Sequence, residues 1–174
     1  MQDLPTRGLQ SRGVELRPAG DGDDDLIRRI LALAMAWRDA VPPTDLPASV
    51  DSYHVGWNQP DDLGVVAFDG IEFVGGAYVR RVTPADGTYG YISEAYPELT
   101  IGVEQTFRRR GIGVLCLAAV QARVIERGIA GISLSVEPDN RARLLYTKLG
   151  FGLVEDRGGD LLMLWKSPVS RAPV

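Results

Sequence analysis

The residues whose spacing carries the most chemistry lie in PELTIGVEQTFRRRGIGVLCLAAV, residues 97–120. An extended run meets a short loop. Arg108-Arg109-Arg110-Gly111-Ile112-Gly113 then opens an apolar-periodic segment. The first N–H groups of a helix lack intrahelical acceptors and sit at the positive end of its dipole, so they attract anions. Glycines let a phosphate approach the backbone because no Cβ intervenes. Arginines add charge-assisted hydrogen bonds. A diphosphate suits this arrangement. Two rival readings are a basic surface turn that merely starts a helix, and a nucleic-acid contact using Arg108–Arg110, Arg141 and Arg143. The strand–turn–helix context favours the diphosphate over both. The chain has no G-x-x-x-x-G-K-[ST] and no G-x-G-x-x-G after its first strand, so neither a P-loop nor a dinucleotide turn is expected.

A second segment, SLSVEPDNRARLLYTKLGF, holds Asn140 before a helical run and Tyr146 within it. Asn140 reads as a helix N-cap. By periodicity alone Tyr146 is a packed aromatic among Leu144, Leu145 and Leu149. A phenol with a pKa near 10 can also donate a proton. Among the acids, Glu98 sits at a strand start where it can face a cleft. Glu94 precedes it, and Glu104 follows the strand. Each of the three also reads as a solvated loop charge.

These two segments resemble the GNAT N-acetyltransferases. Arg108-x-x-Gly111-x-Gly113 matches the family's pyrophosphate motif [QR]-x-x-G-x-[GA]. Asn140, Ala142, Leu145, Tyr146, Gly150 and Phe151 match its N-x-A and L-Y-x-x-x-G-F pattern. Many members read R-G-x-G-I-G at the first site, where this chain has Arg109 in place of the first glycine. The matching region covers about a third of the chain.

The resemblance implies a donor, acetyl-coenzyme A, used as co-substrate with no metal. It implies that strands at Thr100–Val103 and Ile132–Val136 splay to admit the pantetheine arm. Ile101, Gly102 and Val103 would line that arm, with the backbone of Ile101 and Val103 hydrogen-bonding it. Val103 would adjoin the thioester, and a backbone N–H there would polarise the acetyl carbonyl. Arg108 and the backbone N–H groups of Arg109, Arg110, Gly111, Ile112, Gly113 and Val114 would hold the pyrophosphate. Asn140 would contact the arm, and Tyr146 would be the acid. Glu98 would be the base, with Glu94 second and Glu104 third, although some members use no dedicated base. The implied reaction is direct acetyl transfer to a primary amine, on a small molecule or a peptide, within a ternary complex. The alternative on the same fold is a non-catalytic acyl-coenzyme A sensor or partner-binding module. No nucleic acid or membrane partner is expected, and a homodimer is allowed for.

Composition bounds the same picture. The chain has 174 residues, 45% apolar and 24% charged, with a net charge of −4. One soluble domain is the default at this size. The negative balance argues against a dedicated nucleic-acid binder and suits a cationic acceptor. Cys116 is the single cysteine, so no internal disulfide forms and a reducing, cytoplasmic setting is expected. Set mid-helix among Leu115, Leu117 and Ala118, it reads as core. His54, the only histidine, reads with Tyr53, Trp57 and Trp37 as packing or acceptor-side residues. No apolar run reaches the roughly 18–20 residues that span a bilayer. The domain is expected over residues 13–167, with a flexible lead-in at 1–12 and a tail at 168–174.

The elements that must position these residues follow from pattern. Gly13–Arg17 is extended. Asp21–Asp25 precedes an apolar-periodic helix over Leu26–Trp37. Prolines 42, 43 and 47 end that pattern, and Asp45–Tyr53 reads as a second short helix. Leu63–Phe68 and Ile71–Val82 read as a hairpin about Asp69-Gly70. Thr83–Gly90 is a loop and Pro97–Val103 a strand. A helix over Gly111–Arg127 stops at Gly128. A strand over Gly131–Val136 leads to a helix over Asp139–Leu149. Strands Phe151–Glu155 and Leu161–Lys166 flank a Gly158-Gly159 turn. The order β-α-α-β-β-β-α-β-α-β-β predicts an α/β fold: a central mixed, twisted sheet with helices on both faces.

Overall fold

The computed structural model describes residues 13–39 and 41–168; the expected lead-in at 1–12 and the tail from 169 onward lie outside the described residues. Seven strands form one sheet: β1 Val14–Pro18, β2 Leu63–Asp69, β3 Glu72–Arg80, β4 Glu98–Val103, β5 Gly131–Val136, β6 Gly152–Asp156 and β7 Leu161–Lys166. Three α-helices accompany them: α1 Asp24–Met35, α2 Ile112–Glu126 and α3 Ala142–Lys148. The strand order is β1-β2-β3-β4-β5-β7-β6. Every neighbouring pair is antiparallel except β4–β5, which is parallel.

Burial follows the sequence periods. On α1, Ile27 and Ile30 are fully buried and pack with Trp57, Val66 and Tyr78 on one face of the sheet. On α2, Ile112, Cys116, Leu117, Val120 and Val124 cover the other face, against Val65, Ala77, Leu99, Ile132 and Leu134. The expected two-faced arrangement is therefore present. Alternation along β4 divides its side chains the same way. Leu99, Ile101 and Val103 pack with the α2 cluster, while Gly102 lies beneath α1. A Cβ at Gly102 would come 2.7 Å from Leu33 Cβ and would also meet the Ile30 carbonyl, so only glycine lets α1 seat there.

Some boundaries differ from those expected. The segment read as a second helix is a 3-10 helix, Ala48–Tyr53, with no buried residue. It has no apolar stripe with which to dock an α-helix. The helix expected from Asp139 begins at Ala142, because Asn140 Oδ1 accepts the Ala142 N–H at 2.9 Å and so starts the helix later. The third strand ends at Arg80 rather than Val82. Shortly beyond it Thr83 and Asp86 close a capping box around the 3-10 turn Pro84–Asp86.

Candidate active site

The site begins where the sheet is incomplete. β4 and β5 register only at Glu98↔Ser133, where the Ser133 N–H donates to the Pro97 carbonyl at 3.0 Å. Beyond that point Thr100 and Ser135 form no pair, so the ladder ends and leaves an unpaired gap, or cleft, between the two strand edges. On the other edge β4 pairs with β3 from Glu98 to Val103. The Glu104 N–H donates to the Val74 carbonyl, which makes Val103↔Gly75 a non-hydrogen-bonded pair. Alternation then turns the backbone groups of Leu99, Ile101 and Val103 toward β5, and those of Thr100 and Gly102 toward β3. The backbone groups of Ile101 and Val103 thus face the unpaired edge, where the Val103 carbonyl accepts Arg108 Nε. Gly102 instead spends its backbone on β3 and its missing side chain on α1.

Strand β4 leads through the 3-10 turn Gln105–Phe107 into the arginine turn. The N-cap of α2 is Gly111, with φ 81°, and no side chain caps the helix. Its first internal bond runs from the Leu115 N–H to the Gly111 carbonyl. The N–H groups of Ile112, Gly113 and Val114 therefore have no intrahelical acceptor. No acid lies in the first turn of α2, whereas α1 has Asp24 and Asp25 in its own. A helix start without cap or carboxylate is the more receptive to an outside anion.

The three arginines differ in use. Arg108 points inward, its Nε donating to the Val103 carbonyl at 3.1 Å and its Nη1 to the Trp37 carbonyl at 3.4 Å. It ties the end of β4 to the segment after α1. Arg110 lies over the Phe107 ring at 4.9 Å. Arg109 and Arg110 are exposed and form no ion pair among the described residues.

Helix α3 closes the apolar side of the cleft. A Cβ at Gly113 would lie 3.4 Å from Leu145 Cδ2 and 3.8 Å from Ile101 Cδ1, so the start of α2, β4 and α3 meet there. The Gln121 amide holds the Leu149 carbonyl at 2.9 Å, fixing the far end of α3. Tyr146 is buried and packs on Phe151 at 5.8 Å between ring centroids. Burial raises its phenol above the ordinary value. Asn140 accepts the Ala142 N–H just ahead of the helix that carries Tyr146, whose N-cap is Arg141.

The carboxylates separate clearly. Glu94 is exposed on the β3–β4 loop. Glu104 is held bidentately by Arg29 of α1, at 2.7 and 2.9 Å, beside a cavity of about 210 Å³ that Arg108 also lines. Glu98 is only 5% exposed. Expected to face an open cleft, it lies instead beneath the β3–β4 loop. Its Oε1 accepts the Gly90 N–H at 2.9 Å and the Tyr53 hydroxyl at 3.1 Å. Burial raises its carboxyl above the usual carboxylate range, against the pull of the Thr88 hydroxyl and of those two donors.

The sequence signature of the Acetyltransferase (GNAT) family matches residues 29–151. The chain belongs to the GNAT acetyltransferase family. This GNAT chain is 31% identical over 146 residues to a mycothiol acetyltransferase of Amycolatopsis mediterranei, covering 80% of this chain and 46% of that one. It is 29% identical over 155 residues to a mycothiol acetyltransferase of Nocardioides sp., covering 83% and 52%. The chain thus spans about half the length of the curated relatives it matches. The PaiA N-acetyltransferase of Thermoplasma acidophilum, solved in complex with coenzyme A, shares the fold with a TM-score of 0.61 at 17% identity, over 88% of this chain and 98% of that one.

Other residues of this GNAT domain have settled roles. Cys116 is fully buried in the core, and burial pushes its thiol up to about 12. Trp57 packs edge-on against Tyr78. His54 is held below its ordinary pKa mainly by burial, and its Nε2 makes no hydrogen bond. Gly90 is the member of the group around Glu98 that motif reading passed over, and Tyr53, which reads as a packing or acceptor-side residue, is not linked by it to Glu98. Tyr53 lies 45 positions from Glu98, with no pattern linking them. No helix among the described residues is long and apolar enough to cross a membrane.

Proposed function

We propose that this domain, over residues 13–167, transfers the acetyl group of acetyl-coenzyme A to a primary amine of a small molecule or peptide, by direct attack in a ternary complex. One observation carries the reading: the unpaired β4–β5 edge, with the backbone groups of Ile101 and Val103 turned toward it, is followed in the chain by a helix start that has neither cap nor acid. An extended arm ending in a diphosphate matches both features. The arm would complete the interrupted ladder at Ile101 and Val103. The N–H groups of Ile112, Gly113 and Val114 would take the pyrophosphate, with Arg109 and Arg110 at its rim. Arg108, engaged with Val103 and Trp37, would shape the turn rather than contact phosphate.

The chemistry needs a base for the ammonium and an acid for the thiolate. Glu98 would take a proton from the acceptor nitrogen, whose lone pair then attacks the thioester carbon. The carbon–sulfur bond breaks, and Tyr146 would donate to the departing sulfur. Burial keeps the Tyr146 phenol protonated at neutral pH, the state in which it can donate. A carboxyl raised by burial is a stronger base than an exposed one, as the task requires.

The test is release of free thiol from acetyl-coenzyme A across a broad amine panel. Turnover with at least one amine is expected, and none would reject the reading. Tyr146→Phe is expected to lower kcat by roughly 10²–10⁴-fold, the range of a general acid, with coenzyme affinity kept. Wild-type turnover in that variant would remove Tyr146 from the acid role.

A further inference from the structure

Glu98 forms no ion pair among the described residues: Arg157, whose charge acts on it, is committed to Glu155, Asp160 and the Tyr89 carbonyl. Arg80 faces it in the β3–β4 register, yet the Arg80 guanidinium goes to Asp62 at 3.3 Å and to the Val55 and Gly56 carbonyls at 2.7 and 3.0 Å. An ionised carboxylate this buried without an ion pair is costly, and a carboxyl so perturbed is a candidate functional group. Its two oxygens are treated unequally. Oε1 accepts both the Tyr53 hydroxyl and the Gly90 N–H, while Oε2 is buried and, among the described residues, makes no well-aligned hydrogen bond; the Thr88 hydroxyl lies near the carboxyl and is equally without an aligned partner.

The inequality is built by two separate segments. The Tyr53 hydroxyl accepts the Tyr89 N–H at 3.0 Å, so its own proton is committed to Oε1. The β3–β4 loop rests directly on the carboxyl. A Cβ at Gly90 would lie 2.6 Å from Oε1 and 2.7 Å from Cδ, a clash that only glycine avoids. Arg157, from the β6–β7 turn, pins the same loop by donating to the Tyr89 carbonyl at 2.7 Å. The groups around Glu98 are therefore Tyr53 on the 3-10 helix, Thr88, Tyr89 and Gly90 on the loop, Tyr78 and Arg80 on β3, Ser133 on β5, and Arg157.

We propose that Tyr53 and Gly90 are positioning residues that saturate Glu98 Oε1 and so make Oε2 the atom that takes the proton from the acceptor amine. In that step an N–H bond breaks, an O–H bond forms on Oε2, and the electron pair stays on nitrogen to attack the thioester. The proposal deepens the acetyl-transfer reading and rests on it for the identity of the proton donor. The anchoring itself is testable without turnover.

The measurement follows the Glu98 carboxyl by ¹³C NMR in the full chain, labelled at glutamate Cδ and assigned by loss of its signal in Glu98→Gln. Tyr53→Phe removes a donor to the charged form and is expected to raise the Glu98 titration midpoint by about one pH unit. Gly90→Ala is expected to displace the carboxyl and change both its shift and its midpoint. An unchanged midpoint in both variants overturns the anchoring. The thermal shift produced by coenzyme A reports whether each variant keeps its fold and cofactor cleft. Thiol release with the best amine of the panel then reads the reaction. The acidic limb of kcat/KM should move up in Tyr53→Phe by the same interval and vanish in Glu98→Gln. A limb that stays put while the NMR midpoint moves would remove Oε2 from the proton transfer. Absence of turnover with every amine would sink the acetyl-transfer reading while the NMR result still decides the anchoring.

Discussion

Arg109 adopts φ 62°, in the left-handed region, at the position where many GNAT sequences have glycine. A side chain there costs about 1–2 kcal/mol through Cβ contact with the following carbonyl. The chain keeps that strain at the rim of its proposed phosphate site, where the guanidinium is exposed. Arg109→Gly should therefore trade one property for another. Relief of the strain, less the extra flexibility of glycine in the unfolded chain, should leave a net stability gain of up to about 1 kcal/mol. Loss of the cation should weaken coenzyme A binding, and more so at low salt. Thermal melting and isothermal titration read the two effects separately; a lower melting temperature would contradict the strain argument. At this scale much was legible in the residues themselves. The R-x-x-G-x-G spacing marks the turn, and the missing glycine marks its strained position. The setting of Glu98 was not legible, because its partner Tyr53 comes from a distant segment with no motif of its own.

Among the elements, β4 matters most, because its two edges do different work. Its β3 edge is paired from end to end, while its β5 edge is paired only at Glu98. Backbone parity then sorts the amides along one strand. Those of Thr100 and Gly102 are bonded within the sheet, and those of Ile101 and Val103 lie beyond the β4–β5 ladder. Coenzyme A should slow hydrogen exchange at the Ile101 and Val103 amides, with little change at Thr100 and Gly102. Exchange resolved by NMR residue by residue tests this alternation. Equal protection along β4 would mean that the arm does not join the strand edge. The strands and the long helices were readable because their apolar periods are 2 and 3.6. The start of α3 was harder to place, since Asn140 suits a cap while the helix begins one residue later, behind Arg141. The 3-10 segment at Ala48–Tyr53 carried no periodic signal, because none of its side chains is buried.

For the whole molecule, the element order implied the mixed sheet and its two helical faces, whereas the cleft is a property of the assembled sheet. Six strand pairings are made, and the single parallel one stops after its first position. The resemblance named these two strands as the pair that splays; local pattern alone does not, since both read as ordinary strands. A protein whose sheet is left incomplete along β4–β5, and whose α2 start is left uncapped, should gain stability when one ligand satisfies both. Binding to the folded state alone contributes about 2.7 kcal/mol at a ligand concentration of 100 Kd. For a chain of this size each kcal/mol moves Tm by about 2–4 °C. Coenzyme A is therefore expected to raise Tm by roughly 5–10 °C at that saturation. Gly111→Glu should abolish the shift. Its φ of 81° is unfavourable for any side chain, and the carboxylate would occupy the anion position at the start of α2. Gly111→Ala carries the same backbone strain without the charge, so the difference between the two variants isolates the electrostatic part. A full shift retained in Gly111→Glu would place the diphosphate somewhere other than the start of α2.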